Sequence, residues 1–307
     1  MIPVDSTSKF GFYKPNTLVN IIMLITRSIG NRWLSKRIIF LLRRIAIIFS
    51  KDCIDTNLFN ANLRMYIKGN VSEKRALFSP QIFEEEEREF IAERAQDDSI
   101  FIDIGANIGL YSFSIGNIYK RYKNTKIFSI EPHPDLFKRL SYNVSLNNDL
   151  PIHPREIALM DKSGQFGLSA PDENLGQGVI SKKGKNLVTA KKLTDFIYDE
   201  KIEKISAMKI DVEGNEEKIL IPFLKDAKNE SLPLIIIIEN NRELWKDDLI
   251  KLLEEKNYII KKKTRMNYIL QLNNSNNFFI KYKDIPKNKN RKNISLIISV
   301  YHYFPKG

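Results

Sequence analysis

The 307-residue chain has a single cysteine, Cys53, so it can form no intrachain disulfide, no Cys-rich zinc site and no CxxC redox pair. With only 3 histidines, a His-based metal centre has little to draw on. No apolar run approaches the ~20 residues that cross a bilayer, because Arg27, Arg32, Lys36, Arg37, Arg43 and Arg44 interrupt the apolar stretches 18–25, 38–42 and 45–49. The opening residues lack a basic cluster followed by an apolar run and a small-residue cleavage site, which predicts no secretory signal and a cytoplasmic location. No G-x-G-x-x-G string follows any strand candidate, which argues against a dinucleotide pyrophosphate.

What is present is a globular composition, 43% hydrophobic and 28% charged, with a net charge of +12 that is unevenly distributed. Residues 1–51 carry 9 Lys+Arg against 1 acidic residue (net +8), residues 251–307 carry 13 against 3 (net +10), and the stretch between carries 27 against 33 (net −6). The basic ends therefore concern location or assembly, not a nucleic-acid-binding face around a catalytic centre. The chain divides into a basic helical extension (1–60), a catalytic domain (61–284) and a basic tail (285–307). Within the extension, Leu18, Ile22, Ile25, Ile29 and Trp33, and then Ile38, Leu41, Leu42, Ile45, Ile48 and Phe49, recur at helical spacing. Two amphipathic helices with Arg-rich faces follow. They suit either peripheral contact with the inner face of an anionic membrane or docking on the main domain or a second copy of the chain.

The acidic run Glu84, Glu85, Glu86, Glu87 and Glu89 reads as a solvated helix face. Beyond Asp98, short β-branched runs (100–104, 126–130, 153–157, 207–210, 234–238, 258–261) alternate with helical patterns (108–120, 135–147, 192–198, 216–224, 246–256). That alternation gives an α/β fold with a parallel sheet covered on both faces. The uninterrupted Ile235-Ile236-Ile237-Ile238 has the composition of a doubly covered central strand. A late strand at 277–280 is expected to close the sheet edge. The Gly-rich stretch 161–192 suits a mobile flap over the site.

Three motifs carry chemistry. Asp103-Ile104-Gly105-Ala106-Asn107-Ile108-Gly109 stands between a strand and a helix, where small residues let a ligand approach the backbone. Glu131, at the end of the next strand in Ile130-Glu131-Pro132-His133-Pro134, is placed to accept both hydroxyls of a ribose. His133 is either a base or a surface residue held between two prolines. The third string is Lys209-Ile210-Asp211-Val212-Glu213-Gly214-Asn215-Glu216. Its carboxylates would share one side of an extended strand end, or else favour the positive end of the helix that follows.

Together these strings, with IEPHPDLFKRLSYNVSLNN around the second strand, resemble the FkbM family of S-adenosylmethionine-dependent methyltransferases over roughly residues 63–280. The resemblance implies a class I methyltransferase (Rossmann-like) fold, a seven-stranded, mostly parallel sheet with helices on both faces, here with a helical N-terminal extension. It implies S-adenosylmethionine as cofactor and O-methylation of a sugar, glycan or small hydroxylated metabolite. By position, Asp103, Gly105, Ala106, Asn107 and Gly109 would surround the methionine part and Glu131 the ribose, with Asn143, Ile157 and Ala158 near the ribose and adenine. Methyl transfer to a hydroxyl needs alignment and a base; Asp211 is the first candidate, with Glu213, Glu239 and His133 behind it. No metal is assigned, although Asp211, Glu213 and Glu239 would suit a hard cation if they converged. A nucleic-acid methyltransferase is the first alternative, but the Asn/Asp-Pro-Pro-aromatic motif of base-amino methylases is absent where DVEG stands. A methyltransferase fold without activity is the second.

Overall fold

The computed structural model describes residues 3–30, 33–171, 173–181 and 186–273. Two helices, α1 (Thr17–Ser28) and α2 (Trp33–Phe49), come first, and the Asn16 side chain caps α1 by accepting from Val19 N at 2.9 Å. An antiparallel hairpin follows, β1 (Cys53–Leu58) and β2 (Ala61–Tyr66), which turns through left-handed Phe59 and Asn60. The hairpin ties the N-terminal segment to the body. Arg64, fully buried, pairs with Asp55 at 2.7 Å and lies between the rings of Tyr13 and Tyr142, while Asp55 also accepts from Gly11 N and Tyr13 N. Helices α3 (Val71–Phe78) and α4 (Glu85–Ala92) complete the entry to the main sheet.

That sheet has seven strands in the order β12-β13-β11-β10-β3-β4-β5. They are β3 (Ile100–Ile104), β4 (Lys126–Ile130), β5 (Ile152–Arg155), β10 (Ala207–Ile210), β11 (Ile235–Glu239), β12 (Tyr258–Lys263) and β13 (Asn267–Leu272). All neighbouring pairs from β5 to β11 are parallel; β13 runs antiparallel between β11 and β12. The intervening helices are α5 (Leu110–Tyr119), α6 (Pro134–Ser145), α7 (Leu193–Asp199), α8 (Glu216–Asp226) and α9 (Leu249–Glu255).

Alternate residues of each central strand feed two separate cores. Phe101, Ile127, Ile235, Ile237 and Ile269 pack on one face, and Ile102, Ile104, Met208, Ile210, Ile236 and Ile238 on the other. The four consecutive isoleucines of β11 are thus divided two and two, as a strand buried on both sides requires. The expected class I architecture with its N-terminal helices is present.

Three local differences have physical causes. Strand β5 ends at Arg155, and Pro154, which cannot donate to a ladder, is accommodated because β5 is an edge strand. The run 277–280 lies outside the described residues; the seventh strand is β13, whose Ile269 and Leu270 supply one residue to each core. The Gly-rich stretch is built as β-structure, with β7 (Gly164–Ser169), β8 (Val179–Ser181) and β9 (Asn186–Lys191) joining β6 (Ala158–Leu159) in a second sheet, order β6-β9-β7-β8. The acidic run is also not uniformly solvated. Glu87 is buried and accepts from Thr264 Oγ1 at 2.5 Å and Asn267 Nδ2 at 2.9 Å, joining α4 to the start of β13.

Candidate active site

The chain runs outward from β3 through β4 and β5, then returns to place β10 on the other side of β3. The carboxyl ends of β3 and β10 therefore flank a switch point, where open α/β sheets bind ligands. Around it lies a cavity whose walls include Asp103, Gly105, Ala106, Asn107, Glu131, His133, Ile157, Ala158, Asp211 and Glu213. Gly109, Asn143 and Glu239 do not line it.

The Gly-rich turn is shaped by close approach. Gly105 has φ +77°, and a Cβ there would lie 1.9 Å from the Asp211 carbonyl oxygen, so the loops after β3 and β10 can meet only because the side chain is missing. Gly109 opens α5 at φ +87°, where a Cβ would strike Leu140 Cδ1 at 2.6 Å; its role in the packing is to seat α5 against α6. Asn107, also left-handed, donates its backbone N–H to Glu131 Oε2 at 2.8 Å. The other oxygen of Glu131 accepts from His133 N at 2.8 Å. Burial pushes the Glu131 carboxyl up to about 7 against the pull of these two amides. Each oxygen keeps a free lone pair.

Asp103, Lys209 and Asp211 share one face of the sheet. Asp103 is buried, with Oδ2 accepting from Ser112 Oγ at 2.7 Å and Oδ1 without a partner. Lys209, paired in register with Asp103, is buried and donates to Asp211 Oδ2 at 2.7 Å. Burial would depress its ammonium, but Asp211, Glu84 and Asp103 outweigh that and hold it above its usual range. After Asp211 the chain does not stay extended: Glu213 is left-handed at φ +53° and Gly214 follows at φ +90°. Asp211 and Glu213 therefore converge through a turn and not through strand alternation. Burial, then the neighbouring Asp211 and Glu216, pushes Glu213 up to about 7. Burial and Asp211 push Glu239 up to about 8 from its place at the end of β11, where it accepts from Asn241 at 2.7 Å. Among the described residues no group of three or more His, Cys, Asp or Glu side chains has the geometry to hold a metal ion.

Two predicted residues have their polar atoms engaged in the fold. Asn143, fully buried, accepts from Arg64 N at 2.8 Å and so clamps α6 to β2. His133 caps α6, its Nδ1 accepting from Asp135 N at 3.2 Å, and burial lowers its imidazole. In that tautomer Nε2 carries the proton, so the ring is a donor.

Glu216, which the sequence pattern places only as an acid at a helix start, does more. It is fully buried, with Oε1 accepting from Gly214 N at 3.1 Å, Val212 N at 3.3 Å and Asn241 Nδ2 at 3.2 Å, and Oε2 from Trp245 Nε1 at 2.9 Å. Its charge stands at the N-terminus of α8, as a dipole argument expects, but four donors make it the anchor of the Asp211–Glu213 turn. Glu84 and Tyr111 also line the cavity. Glu84 is hidden inside a run of like charges, and Tyr111 closes the Gly-rich string that begins at Asp103 without a role of its own.

The chain belongs to the family described as the methyltransferase FkbM domain, which matches residues 103–260. Among curated proteins it is 25% identical over 166 residues to the hexuronic acid methyltransferase AglP of Haloferax volcanii, covering 54% of this chain and 65% of that one. It is 27% identical over 200 residues to methyltransferase sdnD of Sordaria araneosa, covering 52% of this chain and 73% of that one. The chain thus spans just under two thirds of the length of the first of these relatives. Similar solved structures include a precorrin-6y C5,15-methyltransferase from Geobacter metallireducens (TM-score 0.38, 16% identity, 60% of this chain, 86% of that one). Another is M. jannaschii TYW2 in complex with AdoMet (TM-score 0.35, 13% identity, 72% of this chain, 84% of that one).

Proposed function

We propose that the protein is an S-adenosylmethionine-dependent O-methyltransferase acting on a hydroxyl of a sugar, glycan or similarly hydroxylated small acceptor. The observation that carries this reading is the meeting of the Gly105 turn, Glu131 and the Lys209-Asp211-Glu213 turn around one cavity at the switch point. The residues fit the cofactor: Asp103 has an unpartnered buried oxygen, Gly105 lets the turn after β3 close against the Asp211 backbone at the cavity, and Glu131 has lone pairs to spare. Asp103, Gly105, Ala106 and Asn107 would hold its methionine part, Glu131 its ribose, and Ile157 and Ala158 its adenine. When bound, the cofactor supplies an electrophilic methyl group on a sulfonium sulfur.

The chain supplies position and proton transfer. Asp211, fixed by Lys209, orients the acceptor hydroxyl, and Glu213, lining the same cavity with its carboxyl near neutrality, takes the proton. Glu239 stands beside Asp211 as a further carboxyl, pushed up by burial and by Asp211. The similarity to a hexuronic acid methyltransferase supports a sugar. Transfer of labelled methyl from S-adenosylmethionine to a panel of neutral hexoses, hexuronic acids, oligosaccharides, RNA and DNA tests this. Label in a sugar supports the reading; label only in RNA or DNA refutes it.

The N-terminal helices support peripheral contact with an anionic membrane surface. Among the described residues, 11 of the 19 exposed large hydrophobic side chains lie between Phe10 and Phe49, a segment of net charge +7. Leu18, Ile21, Leu24 and Ile25 form one exposed face of α1, opposite the buried Val19, Ile22, Met23 and Thr26. No described helix is long and apolar enough to cross a membrane. Flotation with anionic vesicles should recover the protein, and Leu24→Glu with Leu41→Glu should release it. Dimerisation in place of flotation would assign the face to a second copy.

A further inference from the structure

Glu84 is a residue that neither the motifs nor the family match assigns. It precedes α4 in a left-handed conformation (φ +44°), unfavourable for a residue with a Cβ, and this conformation accompanies a side chain turned into the cavity. Its Oε2 is fully enclosed and makes no hydrogen bond. Tyr111, on the first turn of α5, is itself buried; its hydroxyl lies near Glu84 but completes no bond of ordinary geometry. Six buried polar side-chain atoms among the described residues lack a partner, and three of them, on Glu84, Asp103 and Tyr111, line this one cavity. Such atoms are costly to leave unmade, so their gathering at a ligand cavity marks groups that a ligand satisfies.

The balance of charge says what kind of ligand group. Lys209, over the Tyr111 ring at 4.9 Å, and Arg88, one turn along α4, are cations near Glu84, but Lys209 bonds Asp211 and the Arg88 guanidinium bonds Phe83 O, Pro80 O and Ser114 Oγ. Burial raises the Glu84 carboxyl, with Asp211 and Glu87 adding to the effect and Lys209 opposing it. Burial without a bonded cation disfavours the ionised form, which a neutral hydroxyl would not restore and a second carboxylate would oppose. A cationic group with several N–H donors offsets the charge and fills the empty acceptor. Tyr111, beside the Ser112 that bonds Asp103, and Lys209, in register with Asp103, put this corner of the cavity at its Asp103 end.

We propose that Glu84, with Tyr111 beside it, is the binding site for the α-ammonium group of the cofactor's amino-acid end. This rests on the reading of the protein as an S-adenosylmethionine enzyme. Titration calorimetry with S-adenosylhomocysteine, its analogue with hydrogen in place of the α-ammonium, and methylthioadenosine, which lacks the amino-acid end, tests it. Glu84→Gln should weaken S-adenosylhomocysteine about 10- to 100-fold, the range of a charge-assisted bond, and leave methylthioadenosine unchanged. Removing the ammonium should weaken binding to the wild type by a similar factor and cost nothing more in Glu84→Gln. Tyr111→Phe should show a smaller effect of the same pattern. Equal losses for all three ligands, or no loss, would overturn the assignment. Failure of the wild-type protein to bind any of them would instead refute the parent reading.

Discussion

The anchoring of the Asp211–Glu213 turn by Glu216 makes a sharp quantitative test through Glu216→Gln, which keeps the shape of the side chain. All four groups that reach it are N–H donors, so the site suits only a group that accepts at both ends. A glutamine amide must turn its NH₂ toward either three donors or one. The cheaper orientation faces Trp245, losing that bond, setting donor against donor, and removing charge from the other three. With about 1.5–3 kcal/mol for a hydrogen bond to a charged group, plus weakening of the rest, the total comes to about 3 kcal/mol. For a domain of this size that is a fall in Tm of about 6–12 °C. Thermal unfolding followed by circular dichroism reads it, and the emission of Trp245 should shift in the native state. Because the turn also places Asp211 and Glu213, kcat should fall about tenfold or more while cofactor affinity changes less. A Tm within about 1 °C of wild type with unchanged kcat would refute the reasoning.

A second stability test concerns the fully buried Glu73–Arg139 pair, 2.7 Å apart, where Glu73 also accepts from the backbone of Tyr66. Glu73→Ala leaves an uncompensated buried guanidinium and should cost about 3–5 kcal/mol in urea titrations, whereas replacing both residues with Met should recover most of it. For pH, a base held near 7 is protonated below that value, so kcat should rise from pH 5 to 8 through about 7. Glu213→Gln should flatten that limb and lower the rate by about 10²–10⁴-fold; a retained limb would move the role to another carboxyl.

The parts of the fold legible in the sequence were those where period and punctuation agreed. Strands β3, β4 and β10 lie where the β-branched runs place them, and the divided isoleucines of β11 follow directly from an apolar run too short for a helix. Strand β13 was missed because Asn267-Tyr268-Ile269-Leu270-Gln271-Leu272 has no turn signal of the usual kind before it and an antiparallel partner from an earlier strand. The β7–β9 strands were masked by glycines that favour a loop reading. In the site, the motif residues announced themselves as short strings, and their gathering is a consequence of the switch point. Glu84, and the parts Lys209 and Glu216 play within their string, are different: each is a charge whose meaning depends on what surrounds it. A run of four glutamates cannot reveal that Glu84 and Glu87 turn inward, and a helix-first glutamate has the same residue type whether it faces water or four donors.

The turn after β3 is proposed to form a cofactor site at the switch point with β10. Titration of S-adenosylmethionine into the full chain tests it most directly, alongside Gly105→Ala, whose added carbon would sit 1.9 Å from the Asp211 carbonyl. The account expects saturable binding at one site per chain in the wild type and its loss in a Gly105→Ala protein that still folds. No heat at millimolar cofactor, or equal binding by both proteins, would contradict it.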